Sequence, residues 1–335
     1  MAPSMAVSKE GLVIPLIDFS KFLEGAPAER EATARALLHG LQTAGFVYLE
    51  KHPIAPSVVR RAFSLTAALF AQPASALQAL KWTTPEANRG YSAMGREKVS
   101  QLPDNESVQK VRSQMPDLKE SLEIGNEDDE RFSNKWPDQR GSLVGFRADM
   151  LDFYHQCHEL HLCLIKALCM ALGSDQTLAD SLTNPGDHIL RLLHYPAVDA
   201  TLFDKKPQQI RAGPHTDYGL ATLLFQDSCG GLQVMSPTGS FVDATPIEGT
   251  IVVNAGDLLA RCSNDLIKST VHRVVQPPHK TGHQYPARYS IVFFGNPTRD
   301  TVIDTLPGTY TSDEDKKYER VIGTQWLIER LKATY

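Results

Sequence analysis

From residue 188 onward the apolar side chains fall into short runs, at 189–195, 220–225, 232–235, 251–254, 269–275 and 288–294, with Gly, Pro, Asn and Asp in the gaps. Runs this short make poor helices. Their spacing of about ten residues, with turn residues between, predicts a two-sheet antiparallel barrel or jelly roll. The chain before that point has a different period. Leu143, Phe146, Met150, Phe153, Cys157, Leu160, Leu164, Leu168 and Leu172 recur at helical spacing and end at Gly173, which predicts a long, buried supporting helix over 143–172.

Helices are also expected at 28–44, with Ala32, Leu37, Leu38 and Leu41 on one face and Gly45 at a left-handed terminus, and at 57–71 ahead of Pro73. Phe46-Val47-Tyr48-Leu49 reads as a strand between them. Residues 83–140 are rich in Gly, Pro and charge and hold one expected strand at 118–125, so they should wrap the core irregularly. A last helix is expected from the capping-box spacing of Thr311 and Glu314 and from apolar Val321, Trp326, Leu327 and Leu331. The expected fold class is α+β: an N-terminal layer at 1–140, support helices at 141–185, a jelly-roll core at 186–300 and a C-terminal helix in 301–335.

Composition narrows the function classes. A net charge of −5 with no long run of one sign argues against a nucleic-acid partner; the nearest run, at 126–131, reads as a solvated loop. Five Cys include Cys157, Cys163 and Cys169 but no Cys-x-x-Cys pair, so neither a disulfide framework nor a zinc knuckle is indicated. A reducing, cytoplasmic setting fits. The apolar stretch at 11–18 is broken by Pro15 and Asp18 and is too short for a signal peptide, and no stretch is long enough to span a membrane.

The chemistry concentrates in the stretch 211–225. His215 and Asp217 are two apart, and in extended backbone such residues point to one side, so an imidazole and a carboxylate can converge on one ion. With 11 His and 39 acidic residues, chance supplies about one such pair, so its weight depends on partners elsewhere in the chain. His272, on a later expected strand, offers a second imidazole. Two imidazoles and one carboxylate on one face of an octahedral ion leave adjacent positions open, which suits non-haem Fe(II) oxygenases better than a closed zinc site. Open positions admit a bidentate co-substrate and dioxygen. Farther on, Arg288 and Ser290 share one side of the last core strand, where a guanidinium and a hydroxyl can clamp a carboxylate; the clamp predicts a dicarboxylate co-substrate. On the long helix, His155, His158 and His161 lack a completing carboxylate and read as solvated surface.

These residues resemble the Fe(II)/2-oxoglutarate dioxygenases related to isopenicillin N synthase. The likeness is carried by His215-Thr216-Asp217, Gly230-Gly231-Leu232-Gln233-Val234, Asn254-Ala255-Gly256-Asp257-Leu258, Ser263-Asn264-Asp265, His272-Arg273-Val274 and Arg288-Tyr289-Ser290. It also runs through Pro15-Leu16-Ile17-Asp18-Phe19, Asn88-Arg89-Gly90-Tyr91 and Asp117-Leu118-Lys119-Glu120. The resemblance implies a double-stranded β-helix flanked by helices. It implies iron held by His215, Asp217 and His272, and 2-oxoglutarate held by Arg288, Ser290 and Tyr195, with ascorbate as a supporting reductant. It further implies that 2-oxoglutarate is decarboxylated to succinate and CO2 while dioxygen is consumed and a C–H bond of a small-molecule substrate is oxidised. The C-terminal helix is implied as a lid.

Within the family, Trp82-Thr83-Thr84-Pro85-Glu86-Ala87-Asn88-Arg89-Gly90-Tyr91-Ser92 and Leu190-Arg191-Leu192-Leu193-His194-Tyr195-Pro196-Ala197-Val198 are similar to fungal thymine dioxygenases. Fungal enzymes that oxidise a ring-bound methyl of aromatic polyketides, some with expansion to a tropolone, are similar too. The likeness implies a planar ring stacked near Tyr218 and Phe294 and hydrogen-bonded by Arg191. His188 stands where an amide side chain is expected near a pyrimidine, and Pro214 where an acid is expected before the first ligand. A His for an amide alters the donor and acceptor pattern offered to a uracil edge. That shifts the expected substrate toward an oxygenated aromatic or dienone polyketide of secondary metabolism, with thymine as the alternative. An oxidase independent of 2-oxoglutarate is disfavoured by Arg288 and Ser290, and a non-catalytic binding protein by the complete ligand set. The sequence sets no oligomeric state.

Overall fold

The last core strand, Arg288–Gly295, organises the molecule: it pairs antiparallel with Ile189–Tyr195 on one side and Ala221–Gln226 on the other. The computed structural model describes residues 4–96, 117–206 and 208–334. Outward from that centre the sheet continues through Glu120–Gly125 to Gly90–Ser92 on one flank. On the other it runs through Ile251–Ala255, Phe46–Glu50 and Leu12–Asp18 to Ser4–Lys9, making nine strands. All pairings are antiparallel except that of Leu12–Asp18 with Phe46–Glu50. A second sheet of four strands has the order Phe241–Asp243, Leu232–Met235, His272–Val274, Ala212–His215.

Side-chain alternation explains how the sheets pack. Along the central strand, Ile291 and Phe293 join the large core beneath the sheet, while Val292 points the other way. There it meets Leu193, Tyr195, Leu232, Val234 and Val274, drawn from both sheets. The fold is therefore the double-stranded β-helix expected, with helices packed on the outer face of its larger sheet. Strands from before residue 140 extend that sheet at both edges.

The supporting helices lie where their periodicity places them. Pro27–Thr43 and Pro56–Phe70 each begin with a proline, whose fixed φ and missing N–H suit the first turn. Phe146–Ala171 buries Phe146, Met150, Phe153, Cys157, Leu160, Leu164 and Leu168. Gly45 and Gly173 take positive φ (72° and 70°) just beyond helix ends, as their positions predict. The five cysteines are free. Among the described residues no helix is long and apolar enough to cross a membrane.

Two expectations are corrected. Only His155 of the three helix histidines is exposed; His161 is fully buried and His158 half-buried. This helix is covered on several flanks, by Pro27–Thr43, by Pro56–Phe70 and by the sheet, so its buried face is wider than one apolar stripe. The C-terminal helix spans Gly323–Thr334 and is not capped by Thr311 and Glu314. Instead Ser312 and Asp315 form the capping box of a short 3-10 turn, Asp313–Asp315, and Val321 sits in a two-residue strand.

Candidate metal centre

His215 closes the strand Ala212–His215, and Asp217 lies in the turn after it; His272 opens the facing strand, where it is the direct partner of His215. Pairing thus joins two distant parts of the chain at one point. The ligand atoms of the three lie within 4.8 Å of one another. Nε2 of His272 is 3.8 Å and Nε2 of His215 4.0 Å from Oδ1 of Asp217.

Each side chain is oriented by a neighbour. Nδ1 of His215 faces the Gly213 carbonyl at 2.8 Å, and Nδ1 of His272 faces that of Thr270 at 3.1 Å. A carbonyl accepts only, so both rings carry hydrogen on Nδ1 and offer a bare Nε2 to the centre. Asp217 divides its oxygens: Oδ2 accepts from Thr222 Oγ1 at 2.6 Å and from Asn254 Nδ2 at 2.8 Å, leaving Oδ1 turned to the imidazoles.

Protonation states agree with this geometry. Burial pushes the His215 pKa down to about 3, with nearby His272 adding to the effect. Burial would raise the Asp217 carboxyl, but the imidazoles of His272 and His215 and the bonds from Asn254 and Thr222 outweigh it and hold the group below the usual carboxylate range. A neutral imidazole and an ionised carboxylate are the metal-binding forms. Three convergent donors of this kind fit a divalent ion whose other positions stay free.

Two cavities meet at the triad, and both are bordered by Lys119, Arg191, His215, Asp217 and Phe294. The inner one runs between the sheets to Arg288, Ser290 and Tyr195. Arg288 is fully buried; it donates to the Gly230 carbonyl (2.9 Å), Ser290 Oγ (3.1 Å) and Gln226 Oε1 (3.3 Å), and its guanidinium carbon lies 4.9 Å from the centre of the Tyr195 ring. No carboxylate of the described residues pairs with it. A buried cation without a counter-charge is costly, so this chamber is built to receive an anion. A second buried guanidinium, that of Arg211, stands behind it and donates to the carbonyls of Tyr195 and Pro286.

The outer cavity is walled by Tyr218, Phe294, Arg191, Asp187 and Asn296 and roofed by Leu327, Ile328 and Leu331 of the C-terminal helix. The roof is tied down by an ion pair from Lys332 to Glu86 (3.2 Å) and by Trp326, whose ring lies beside the guanidinium groups of Arg330 and Arg261. Arg191 pairs with fully buried Glu123 at 2.9 Å and lies over the Phe294 ring at 5.1 Å.

His188 is a correction. It does not border this cavity: Asp187, Ile189 and Arg191 face it, and strand alternation turns His188 toward the long helix. Pro214 is exposed and borders neither cavity. Sequence reasoning gave no role to Thr222, Gln226 or Asn296, nor to Lys119 and Asn254, which it named only as part of the family likeness. The inward alternation of Thr222, Leu224 and Gln226 on their strand was the available signal for two of these.

Comparisons with known proteins identify the family. Residues 14–139 match the N-terminal domain described for a non-haem dioxygenase in morphine synthesis, and residues 186–297 match the 2OG-Fe(II) oxygenase superfamily. The thymine 7-hydroxylase of Neurospora crassa, solved with alpha-KG and thymine, is 54% identical, covers 99% of this chain and 100% of its own, and superposes with a TM-score of 0.93. Proline hydroxylase buaE of Petromyces alliaceus is 38% identical over 95% of this chain and 98% of its own. The 2-oxoglutarate-dependent dioxygenase htyE of Aspergillus rugulosus is 33% identical over 97% and 100%. The chain belongs to the 2OG-Fe(II) oxygenase superfamily and is a 2-oxoglutarate-dependent dioxygenase.

Proposed function

We propose that His215, Asp217 and His272 hold the iron, that Arg288, Ser290 and Tyr195 receive 2-oxoglutarate in the inner chamber, and that the outer cavity presents the methyl group of a small planar ring for oxidation. Bound there, Fe(II), 2-oxoglutarate and dioxygen supply the oxidising power, with succinate and CO2 released. The protein's own part is placement. Arg288 and the Ser290 hydroxyl take the distal carboxylate, so the keto-acid end reaches toward the triad. Tyr218, Phe294 and the roof residues Leu327, Ile328 and Leu331 supply apolar faces and exclude water, while Arg191 supplies hydrogen-bond donors for a ring carbonyl.

A 5-methylpyrimidine such as thymine is the substrate this reading favours. One observation carries it: the two departures that pointed toward a polyketide, His188 and Pro214, do not border the cavity. The Neurospora crassa relative, similar over nearly the whole chain, binds thymine in its solved complex. The test is succinate release measured with thymine, uracil and methylated aromatic or dearomatised polyketides. Thymine should stimulate release and form a hydroxymethyl product. Stimulation by a polyketide ring and none by thymine would reverse the assignment.

A further inference from the structure

His188 is fully buried, yet its ring joins two regions with different tasks. The Asn296 backbone N–H donates to its Nδ1 at 3.0 Å, so Nδ1 is bare and the ring's hydrogen sits on Nε2. That Nε2 lies 3.0 Å from Nδ1 of His158 on the long helix and also faces the Thr183 carbonyl. Burial lowers the His188 pKa well below its ordinary value, and His161 and His158 add to the shift, in keeping with a neutral ring. His161 closes the remaining side: a Cβ on Gly295 would stand 2.1 Å from its Nε2, so the strand end lies flat against the ring.

Asn296, held in this way, is part of the outer cavity's wall. Its Nδ2 donates to the Asp187 carbonyl at 2.8 Å, and its own carbonyl accepts from Thr183 Oγ1 at 2.9 Å. A Cβ on Gly219 would stand 2.3 Å from Asn296 Oδ1, so this wall abuts the turn that carries Asp217. We infer that His188, braced by His158, is a positioning residue for the substrate: it fixes the Asn296–Asp187 wall relative to the metal centre, and thereby substrate affinity, without touching the substrate. This rests on the reading of the outer cavity as the substrate site.

The experiment compares full-length, iron-loaded wild type with His188→Leu, His188→Asn and His158→Leu. The Asn Oδ1 can occupy the place of Nδ1 and keep the bond from Asn296, whereas Leu cannot. Hydrogen exchange of the segment 294–298 should quicken by about tenfold in His188→Leu and stay near wild type in His188→Asn. The KM for thymine should rise by about tenfold in His188→Leu, less in His158→Leu because Thr183 still accepts, while the KM for 2-oxoglutarate stays within about twofold. Unchanged exchange in His188→Leu, a joint rise of both KM values, or His188→Asn behaving like His188→Leu would overturn the inference. If His188→Leu does not fold, the ring-nitrogen NMR shifts of wild type decide, since a hydrogen on Nδ1 of His188 contradicts the bond. If wild type releases no succinate with thymine, the substrate reading fails while the exchange measurement still decides the relay.

Discussion

Asn254 donates to Oδ2 of Asp217 at 2.8 Å, and this leaves Oδ1 of the same carboxylate 3.8 Å from Nε2 of His272. One oxygen is anchored so that the other can serve the centre. Asn254→Leu should therefore weaken Fe(II) binding by about 10- to 100-fold, the usual cost of losing an outer hydrogen bond to a ligand, with Thr222→Val acting in the same direction. Metal titration followed by calorimetry checks this. Wild-type affinity in both variants would show that Asp217 needs no such anchor.

Arg288 makes the second prediction, because its guanidinium is buried and donates to a carbonyl, a hydroxyl and an amide oxygen, all of them uncharged. Arg288→Ala should raise the KM for 2-oxoglutarate by about 100-fold, equivalent to about 3 kcal/mol, and leave Fe(II) affinity near wild type. A 2-oxoglutarate titration of succinate release reads it. An unshifted saturation curve would remove Arg288 from the co-substrate chamber.

Acid should destabilise the fold through His161. Burial pushes its pKa from 6.5 down to about 3, and neither ring nitrogen has a hydrogen-bond partner among the described residues. Below its ordinary value the unfolded chain takes up a proton that the folded chain refuses, so stability is full above that value and falls as the pH drops toward the folded one. At pH 5 the loss from this group alone is about 2 kcal/mol. Urea unfolding at pH 7.5 and 5.0 should show His161→Leu losing less stability on acidification than wild type by about that amount. Equal losses would mean that His161 is protonated or hydrated in the native state.

The roof of the outer cavity gives the fourth prediction. Leu327 is buried on the cavity side of the C-terminal helix. Leu327→Glu should raise the substrate KM by about tenfold and increase succinate release not coupled to product, with the KM for 2-oxoglutarate unchanged. Product-to-succinate ratios measure the coupling. An unaltered ratio would show that the helix does not govern access.

Much of this was legible because the relevant signals are local. The apolar runs after residue 188 fixed strand positions to within a few residues, and Gly45 and Gly173 marked helix ends by the conformation only they adopt cheaply. The triad was legible from residue type plus the one-residue gap between His215 and Asp217. What depended on long-range pairing was not. The strands Ser4–Lys9 and Leu12–Asp18 were hidden, the second by Pro15, which the sheet tolerates beside a register shift. His161 was misread because exposure on a helix depends on what covers its other faces, which no single periodicity reports; His188 was misread because likeness of residues was weighed above strand alternation, which already set it opposite Arg191. The anchoring of Asp217 by Thr222 and Asn254 needs two strands brought together, and only the fold supplies that.

The proposed function requires that His215, Asp217 and His272 share one ferrous ion. An anaerobic visible spectrum with Fe(II) and 2-oxoglutarate tests this most directly. Wild type should develop a weak charge-transfer band that Asp217→Ala abolishes. A wild type that shows no band, or a band that persists unchanged in Asp217→Ala, would contradict the assignment of His215, Asp217 and His272 as the metal centre.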